Sequence, residues 1–387
     1  RLTRCHRWRE IAQGVVSVHP EAAAGVAALS TEELQRDKIL RAQNLTKHFP
    51  VRRSLLDILR GRRPSPVRAV DGVNLSVQEG RTLGLVGESG SGKTTLARLL
   101  IGLVERDRGT IEFMGLDIRN NVRERSMDVL ARLQMIFQNP QNTLNPYMTV
   151  GQSIRRPLVR LAGLSRAEAE REVRRLLKAV NLRPEYAARY PDELSGGEKQ
   201  RVAIARAFAS DPALILCDEP VSSLDVSVQA AVLNLLARQE EQDTAYLFIS
   251  HALSVVVYLA DYVAVMYLGE LYEVGYGRDL FEPPMHPYTE ALVSAIPVAD
   301  PTRRTRPIPL GDDIPSPRHM PGGCRFHTRC PRKLGTICEQ EPPPWRDEGD
   351  GHYIRCHREV AELRELQQSP PPFAGGSAEG EVREGVG

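Results

Sequence analysis

Glycine spacing limits this chain more than any other feature. Gly87-Glu88-Ser89-Gly90-Ser91-Gly92-Lys93-Thr94 fits G-x-x-x-x-G-K-[ST], preceded by the apolar run Thr82 to Val86 and followed by a helical stretch, Lys93 to Leu103. Glycines let a backbone wrap close enough for its N–H groups to hold phosphate oxygens, and a helix N-terminus adds positive potential. In this reading Gly87, Ser89, Gly90, Ser91, Gly92 and Thr95 shape the cradle, Lys93 reaches the β- and γ-phosphates, and the Thr94 hydroxyl holds Mg²⁺. A glycine-rich turn with a stray lysine is the bland alternative. A chain this long meets the pattern by accident about one time in a hundred, and accident does not also place it between a strand and a helix. The order strand, loop, helix calls for a parallel sheet covered by helices.

Other segments fall in with that core. Ile39 to Phe49 and Val67 to Gln78 read as strands flanking a basic insertion, Arg52 to Pro66, and form an antiparallel β portion near the N-terminus. Ser165 to Val180 has helical spacing, with an N-cap serine and an acid three residues on, inside a helical subdomain of about 140–200. Strands return at Ala213 to Cys217, Thr244 to Ser250 and Tyr262 to Tyr267, with a helix at Ser227 to Arg238. The expected division is a lead-in at 1–38, an α/β P-loop domain at 39–280, a cysteine-rich C-terminal extension at 281–358 and a disordered tail at 359–387.

Two further motifs carry chemistry. Leu214 to Glu219 is an apolar strand ending in two acids. Charge at a strand end can mean only a solvated loop. Beside a phosphate loop, Asp218 suits the Mg²⁺ shell and Glu219 suits orienting or deprotonating an attacking water. Leu194-Ser195-Gly196-Gly197-Glu198 precedes a helix read at Arg201 to Phe208, with serine as its cap and glycines exposing N–H groups.

With these residues in order the chain resembles the ATP-binding subunits of ABC transporters, whose signature is LSGGQ. The matches are the phosphate loop at 87–94, a Q-loop glutamine at Gln138, the signature at 194–198, Asp218 with Glu219, a D-loop at Ser223-Leu224-Asp225 and a switch histidine at His251. The resemblance implies ATP with Mg²⁺ as nucleotide and metal, and a head-to-tail dimer. In that dimer Ser195, Gly196, Gly197 and Glu198 of one subunit complete the site of the other. It also implies that Gln138 contacts Mg²⁺ and the membrane subunit, that His251 holds the γ-phosphate, and that Phe49 stacks on adenine; a lone phenylalanine at a strand end can equally be core. Departures are mild: Glu198 for the signature's glutamine, Asn139 for aspartate, and Ala252 after the histidine where aspartate is usual. An active ATPase is expected.

Gln138-Asn139-Pro140, Leu144-Asn145-Pro146, His286-Pro287-Tyr288-Thr289, Ala295-Ile296-Pro297, Ile314-Pro315-Ser316-Pro317 and Gly323 to Pro331 narrow the resemblance to bacterial dipeptide and oligopeptide importers, which have nickel importers beside them. That implies transmembrane permease subunits, a second ATPase subunit or fused half, an extracytoplasmic substrate-binding protein, and a place on the cytoplasmic face of the bacterial inner membrane. The tail cysteines, Cys324, Cys330, Cys338 and Cys356, are spaced C-x5-C-x7-C-x17-C. Cytosolic thiols stay reduced, which disfavours disulfides. Zinc usually brings a C-x2-4-C knuckle, absent here, and four thiolates can also hold iron–sulfur; spacing leaves these two level. The resemblance favours [4Fe-4S] over zinc, with the expected role of stapling a poorly cored tail. Cys217, inside an apolar strand, reads as core.

Composition excludes other classes. Lys and Arg number 51 against 49 Asp and Glu, a net charge of +2, so bulk charge gives no nucleic-acid footprint. A soluble ABC protein acting on nucleic acid or ribosomes would typically carry two motif sets or a coiled-coil insert, and neither is present. The greasiest stretch, Ala252 to Met266, is interrupted by Asp261, too short for a bilayer span. Arg1 to Glu10 is too charged for a signal peptide. Finally, Arg4-Cys5-His6-Arg7 repeats Arg355-Cys356-His357-Arg358. The expectation drawn from this repeat is that 1–38 ends a preceding homologous half of a fused tandem protein, Cys5 being a ligand of that half.

Overall fold

The computed structural model describes residues 38–51, 65–139, 143–221, 229, 232–237, 243–277, 280, 282–283, 285–296, 307–311, 314–349 and 351–368. The lead-in with Cys5, Pro140 and the D-loop lie outside the described residues; of the expected 227–238 helix, 229 and 232–237 are described and helical, with Val232, Leu233 and Leu236 buried.

Two sheets form the scaffold. Strands β1 (Lys38–Phe49), β2 (Val67–Gln78), β4 (Arg108–Phe113) and β5 (Leu116–Asp117) make an antiparallel sheet in the order β2-β1-β4-β5. The second sheet contains β3 (Thr82–Val86), β6 (Leu133–Ile136), β7 (Leu214–Asp218), β8 (Ala245–Ser250), β9 (Tyr262–Tyr267) and β10 (Glu270–Tyr276). Its parallel part runs β9-β3-β8-β7-β6, with β8 in the middle and every residue of β3, β7 and β8 buried. Strands buried on both faces read as continuous apolar runs, which is why these segments lack alternation in the sequence.

Alternate residues of one strand serve different cores. Leu214 and Leu216 of β7 join β1, β2, β4 and helix α1 (Lys93–Ile101), whereas Ile215 and Cys217 face the core shared with the helical subdomain. Helix α1 stops two residues earlier than its periodicity suggests. Gly102 takes the left-handed conformation and donates its N–H back to the Arg98 and Leu99 carbonyls, a glycine C-cap.

After α2 (Met127–Arg132), the helical subdomain comprises α3 (Val150–Arg160), α4 (Arg166–Ala179) and the start of α5 (Gly196–Phe208). Capping boxes close the first two, Thr149 with Gln152 and Ser165 with Glu168. Helix α5 corrects the expected start at Arg201. It begins at Gly196, because the reciprocal bonds between Ser195 and Glu198 offset the helix cost of two glycines.

The C-terminal extension is not poorly cored, which corrects that expectation. Phe326 is fully buried, with ring centroids of Tyr267 and Tyr288 at 5.3 and 5.2 Å. Beyond α6 (Leu253–Leu259), Tyr288 comes from α7 (Pro287–Ser294), and a short helix, α8 (Ile337–Gln340), carries buried Cys338. Strands β11 (Trp345–Gly349) and β12 (His352–Arg355) then continue the core sheet beyond β10 in the order β11-β12-β10-β9. Disorder expected from 359 is corrected over the first residues, where α9 (Val360–Leu366) is helical and buries Leu363; the rest of that expected tail, 369–387, lies outside the described residues.

Candidate active site

Parallel register collects the chemistry. Val86 pairs with Ser250, Asp218 with Ile249, and Ile136 with Cys217. The residues that follow β3, β6, β7 and β8 therefore emerge along one edge of the sheet, the usual place for ligands in such folds. They are the phosphate loop, Gln138, Glu219 and His251.

Two glycines of the loop have no substitute. A Cβ at Gly87 would land on the Met266 carbonyl, and one at Gly92, whose φ is 111°, would land on the Ala69 carbonyl. Lys93 is 5% exposed, and its Nζ donates to the Gly87 and Glu88 carbonyls at 2.7 and 2.8 Å and to Ser91 Oγ at 3.3 Å. Burial lowers its pKa, against the pull of Glu219, Asp218 and Glu88. Thr94 Oγ1 donates to Asp218 Oδ1 at 3.0 Å. Burial raises the Asp218 pKa despite that bond, and neighbouring Glu219 adds to the rise. Hydroxyl and carboxylate oxygens of this kind fit a hard divalent cation such as Mg²⁺.

Glu219 is the hub of the hydrolytic side. Its backbone is left-handed at φ 45°, a strain of about 1–3 kcal/mol for a non-glycine residue, and its N–H is tied to the Ile249 carbonyl at 3.0 Å. Gln138 Nε2 donates to Glu219 Oε2 at 2.8 Å, and His251 Nδ1 lies 3.3 Å from Glu219 Oε1. Residues 81 apart in sequence are thus brought onto one carboxylate.

The remaining site residues fall elsewhere. Phe49 ends β1 at 37% exposure, with Lys47 Nζ 5.5 Å from its ring centroid; its ladder partner is Val67, two residues from Ala69. Ser195 and Glu198 bond to each other and, through the Tyr186 hydroxyl at 2.7 Å, stay within the helical subdomain. Cys217 is fully buried core, its thiol pushed up by burial.

The four tail thiols neighbour one another. Cys324 is pushed up to about 12 and Cys356 to about 11, by burial first and then by the other thiols. Burial, with the same coupling, also raises Cys330. Each sulfur accepts a backbone N–H: Cys324 from Phe326, Cys330 from Arg332, Cys338 from Leu334, and Cys356 from His357 and Arg358. Among the described residues, no three or more His, Cys, Asp or Glu side chains are grouped to hold a metal ion, and every cysteine is a free thiol. Neither the cluster nor zinc is thereby supported as a site.

Beside the Q-loop lies a groove of about 550 Å³ between β6 and the helical subdomain. Met127, Leu130, Pro157 and Leu161 line it together with Arg156, Arg160 and Arg206. Sequence reasoning missed this groove, and it missed Tyr288 and Arg329 as neighbours of the phosphate loop, since both lie more than 190 residues from Glu88. No local signal marks either. Among the described residues no helix is long and apolar enough to cross a membrane.

Comparison with known proteins agrees with this geometry. Residues 70–222 match the ABC transporter family and residues 272–338 match the oligopeptide/dipeptide transporter C-terminal region. The chain is 45% identical over 322 residues to a probable peptide ABC transporter ATP-binding protein of Sinorhizobium fredii, covering 83% of this chain and 90% of that protein. It is 43% identical over 327 residues to an oligopeptide transport ATP-binding protein of Bacillus subtilis, covering 83% and 98%. Among solved structures it resembles a dimeric ATP-binding cassette in a post-hydrolysis state bound to ADP and Pi, with a TM-score of 0.53 and 25% identity over 62% of this chain and 99% of that one.

Proposed function

The chain belongs to the ABC transporter ATP-binding proteins, and from that premise we propose that it is the ATP-hydrolysing subunit of an importer of dipeptides and oligopeptides. The observation that carries the reading is the convergence of Gln138 and His251 on Glu219, beside Thr94, Asp218 and Lys93, at one edge of the sheet.

Phosphoryl transfer needs positioning and charge neutralisation. The backbone N–H groups of Gly90 to Thr95 and the Lys93 ammonium hold the phosphates, Ser89 completes the loop, and Phe49 offers its exposed ring to adenine. Thr94, Asp218 and Gln138 would hold Mg²⁺, which supplies charge neutralisation on the phosphate oxygens. Glu219 orients the attacking water and takes its proton; Gln138 and His251 fix that carboxylate, and His251 also faces the γ-phosphate. Ser195 to Glu198 serve the site of a second ATPase subunit or fused half, since in this chain they stay within the helical subdomain.

The permease partner has a fitting seat. The groove beside the Q-loop combines apolar side chains with Arg156, Arg160 and Arg206, and suits a short amphipathic cytoplasmic helix with acidic residues. An extracytoplasmic binding protein would deliver the peptide, and the subunit would sit peripherally on the inner face of the bacterial membrane. For the tail thiols the reading is a [4Fe-4S] cluster on Cys324, Cys330, Cys338 and Cys356. Its ground is the family resemblance together with the mutual coupling of the four thiols and the N–H bonds that each sulfur accepts, not a grouping of metal ligands.

Reconstitution with permease and binding protein in proteoliposomes tests the function. Peptide uptake driven by MgATP is expected, and Glu219→Gln lowers hydrolysis by about 10²–10⁴-fold, the contribution of a general base. Uptake of nickel but not peptide, or full activity in the variant, would refute the reading.

A further inference from the structure

The C-terminal extension reaches back to the phosphate loop. Arg329 closes a two-bond fork on Glu88: Nη1 donates to Oε2 at 2.6 Å and Nη2 to Oε1 at 3.0 Å. The arginine side chain is 6% exposed. Its Nε donates to the Gly311 carbonyl at 3.1 Å, and Nη1 also meets the Tyr267 hydroxyl at 3.4 Å, so every nitrogen of the guanidinium is engaged. Tyr288, fully buried on α7, accepts the Glu88 backbone N–H at 2.7 Å. The Glu88 carbonyl in turn accepts from Lys93 Nζ at 2.8 Å. One residue of the phosphate loop is therefore held by the extension through its side chain and its N–H, while its carbonyl holds the lysine.

This arrangement has an electrostatic purpose. A carboxylate in the phosphate loop lies beside the place where a polyanion must bind, and a like charge there opposes binding unless it is neutralised. Arg329 is the only cation bonded to the Glu88 carboxylate among the described residues, and its planar fork also fixes direction. We propose that Arg329 and Tyr288 are positioning residues for nucleotide binding, making affinity for MgATP depend on the docked C-terminal extension. The inference rests on the ATPase reading and adds to it two residues 241 and 200 positions from Glu88. An ordinary brace between two parts of a fold would stabilise the chain without favouring nucleotide.

The two roles separate by second-site rescue. MgATP binding to the full chain is measured by titration calorimetry, alongside KM and kcat for hydrolysis. Arg329→Gln leaves Glu88 charged and uncompensated, and is expected to raise Kd and KM about tenfold, the loss of roughly one charge-assisted hydrogen bond, with a smaller fall in kcat. Adding Glu88→Gln to Arg329→Gln removes the stranded charge and returns Kd most of the way to the wild-type value. Arg329→Lys falls between. If Arg329→Gln does not yield folded chain by thermal melting, Tyr288→Phe and Arg329→Lys carry the test, each expected to weaken binding by a measurable factor. Wild-type affinity in Arg329→Gln, or in both substitutes, overturns the proposal, as does a double variant that binds no better than Arg329→Gln. A wild-type chain that binds no MgATP at all would instead overturn the ATPase reading on which it stands.

Discussion

Two helices of this molecule begin on glycine-rich turns, and they treat their first N–H groups in opposite ways. Helix α1 follows Gly92, which has no side chain to offer as a cap and no acid in the first turn. Helix α5 follows Ser195, which closes a capping box with Glu198, whose carboxylate accepts from both the N–H and the hydroxyl of Ser195. The Tyr186 hydroxyl, with Arg189 over its ring at 4.0 Å, secures that carboxylate further. The difference teaches that α1 leaves its donors for phosphate from solution, whereas α5 satisfies its own until something displaces Glu198. A site completed by a second subunit needs that second behaviour, because an exposed and unsatisfied helix end would weaken the chain while it waits.

The largest test gives α1 the cap that α5 has. Gly92→Ser places a Cβ against the Ala69 carbonyl at a φ of 111°, and MgATP affinity measured by calorimetry is expected to fall at least about a hundredfold as the loop is displaced. Normal affinity would show that the bare cap has no functional meaning. A middle-sized effect comes from α5. Glu198→Ala breaks the capping box and lowers stability by about 1 kcal/mol, roughly 1–2 °C in melting temperature for a chain of this size. Glu198→Gln keeps the reciprocal bond and melts within about 0.5 °C of wild type, since glutamine serves in that position too.

The smallest effect is a pH dependence confined to α5. Hydrogen bonds from Tyr186 first, then from the Ser195 backbone, outweigh slight burial and hold the Glu198 pKa below its usual value. A depressed folded pKa means that the cap's contribution is complete above the ordinary carboxylate range, near 4.3, and is lost as pH falls through the folded value. Melting curves between pH 6 and 3 should therefore show a wild-type decline that Glu198→Gln lessens, and equal declines in both chains would remove the titrating cap from the account.

How much of this was visible in the sequence depends on distance along it. Residues 87–94 and 214–219 declare themselves because local backbone needs dictate glycine, lysine and an acid-terminated apolar run. Gln138 and His251 became legible only through family resemblance, since parallel register, which no local pattern encodes, is what brings them to Glu219. The start of α5 was misread because two glycines look like a break until the Ser195–Glu198 box is counted. The extension's core was missed for another reason. Tyr267, Tyr288 and Phe326 come from three distant segments, of which the sequence marks only the first as a regular element.

The last hairpin has a consequence for where such a chain can end. Strand β12 hydrogen-bonds along β10, and His352 Nε2 meets Glu273 Oε1 at 2.8 Å, a carboxylate with no exposure at all. Cutting the chain after β10 would bare a row of backbone donors and acceptors to any passing strand and strip the Glu273 carboxyl of its hydrogen-bond partner His352. A minimal ATPase trimmed at that point should clump when concentrated, so the terminal segment travels with the catalytic core as a seam that keeps the sheet from recruiting strangers.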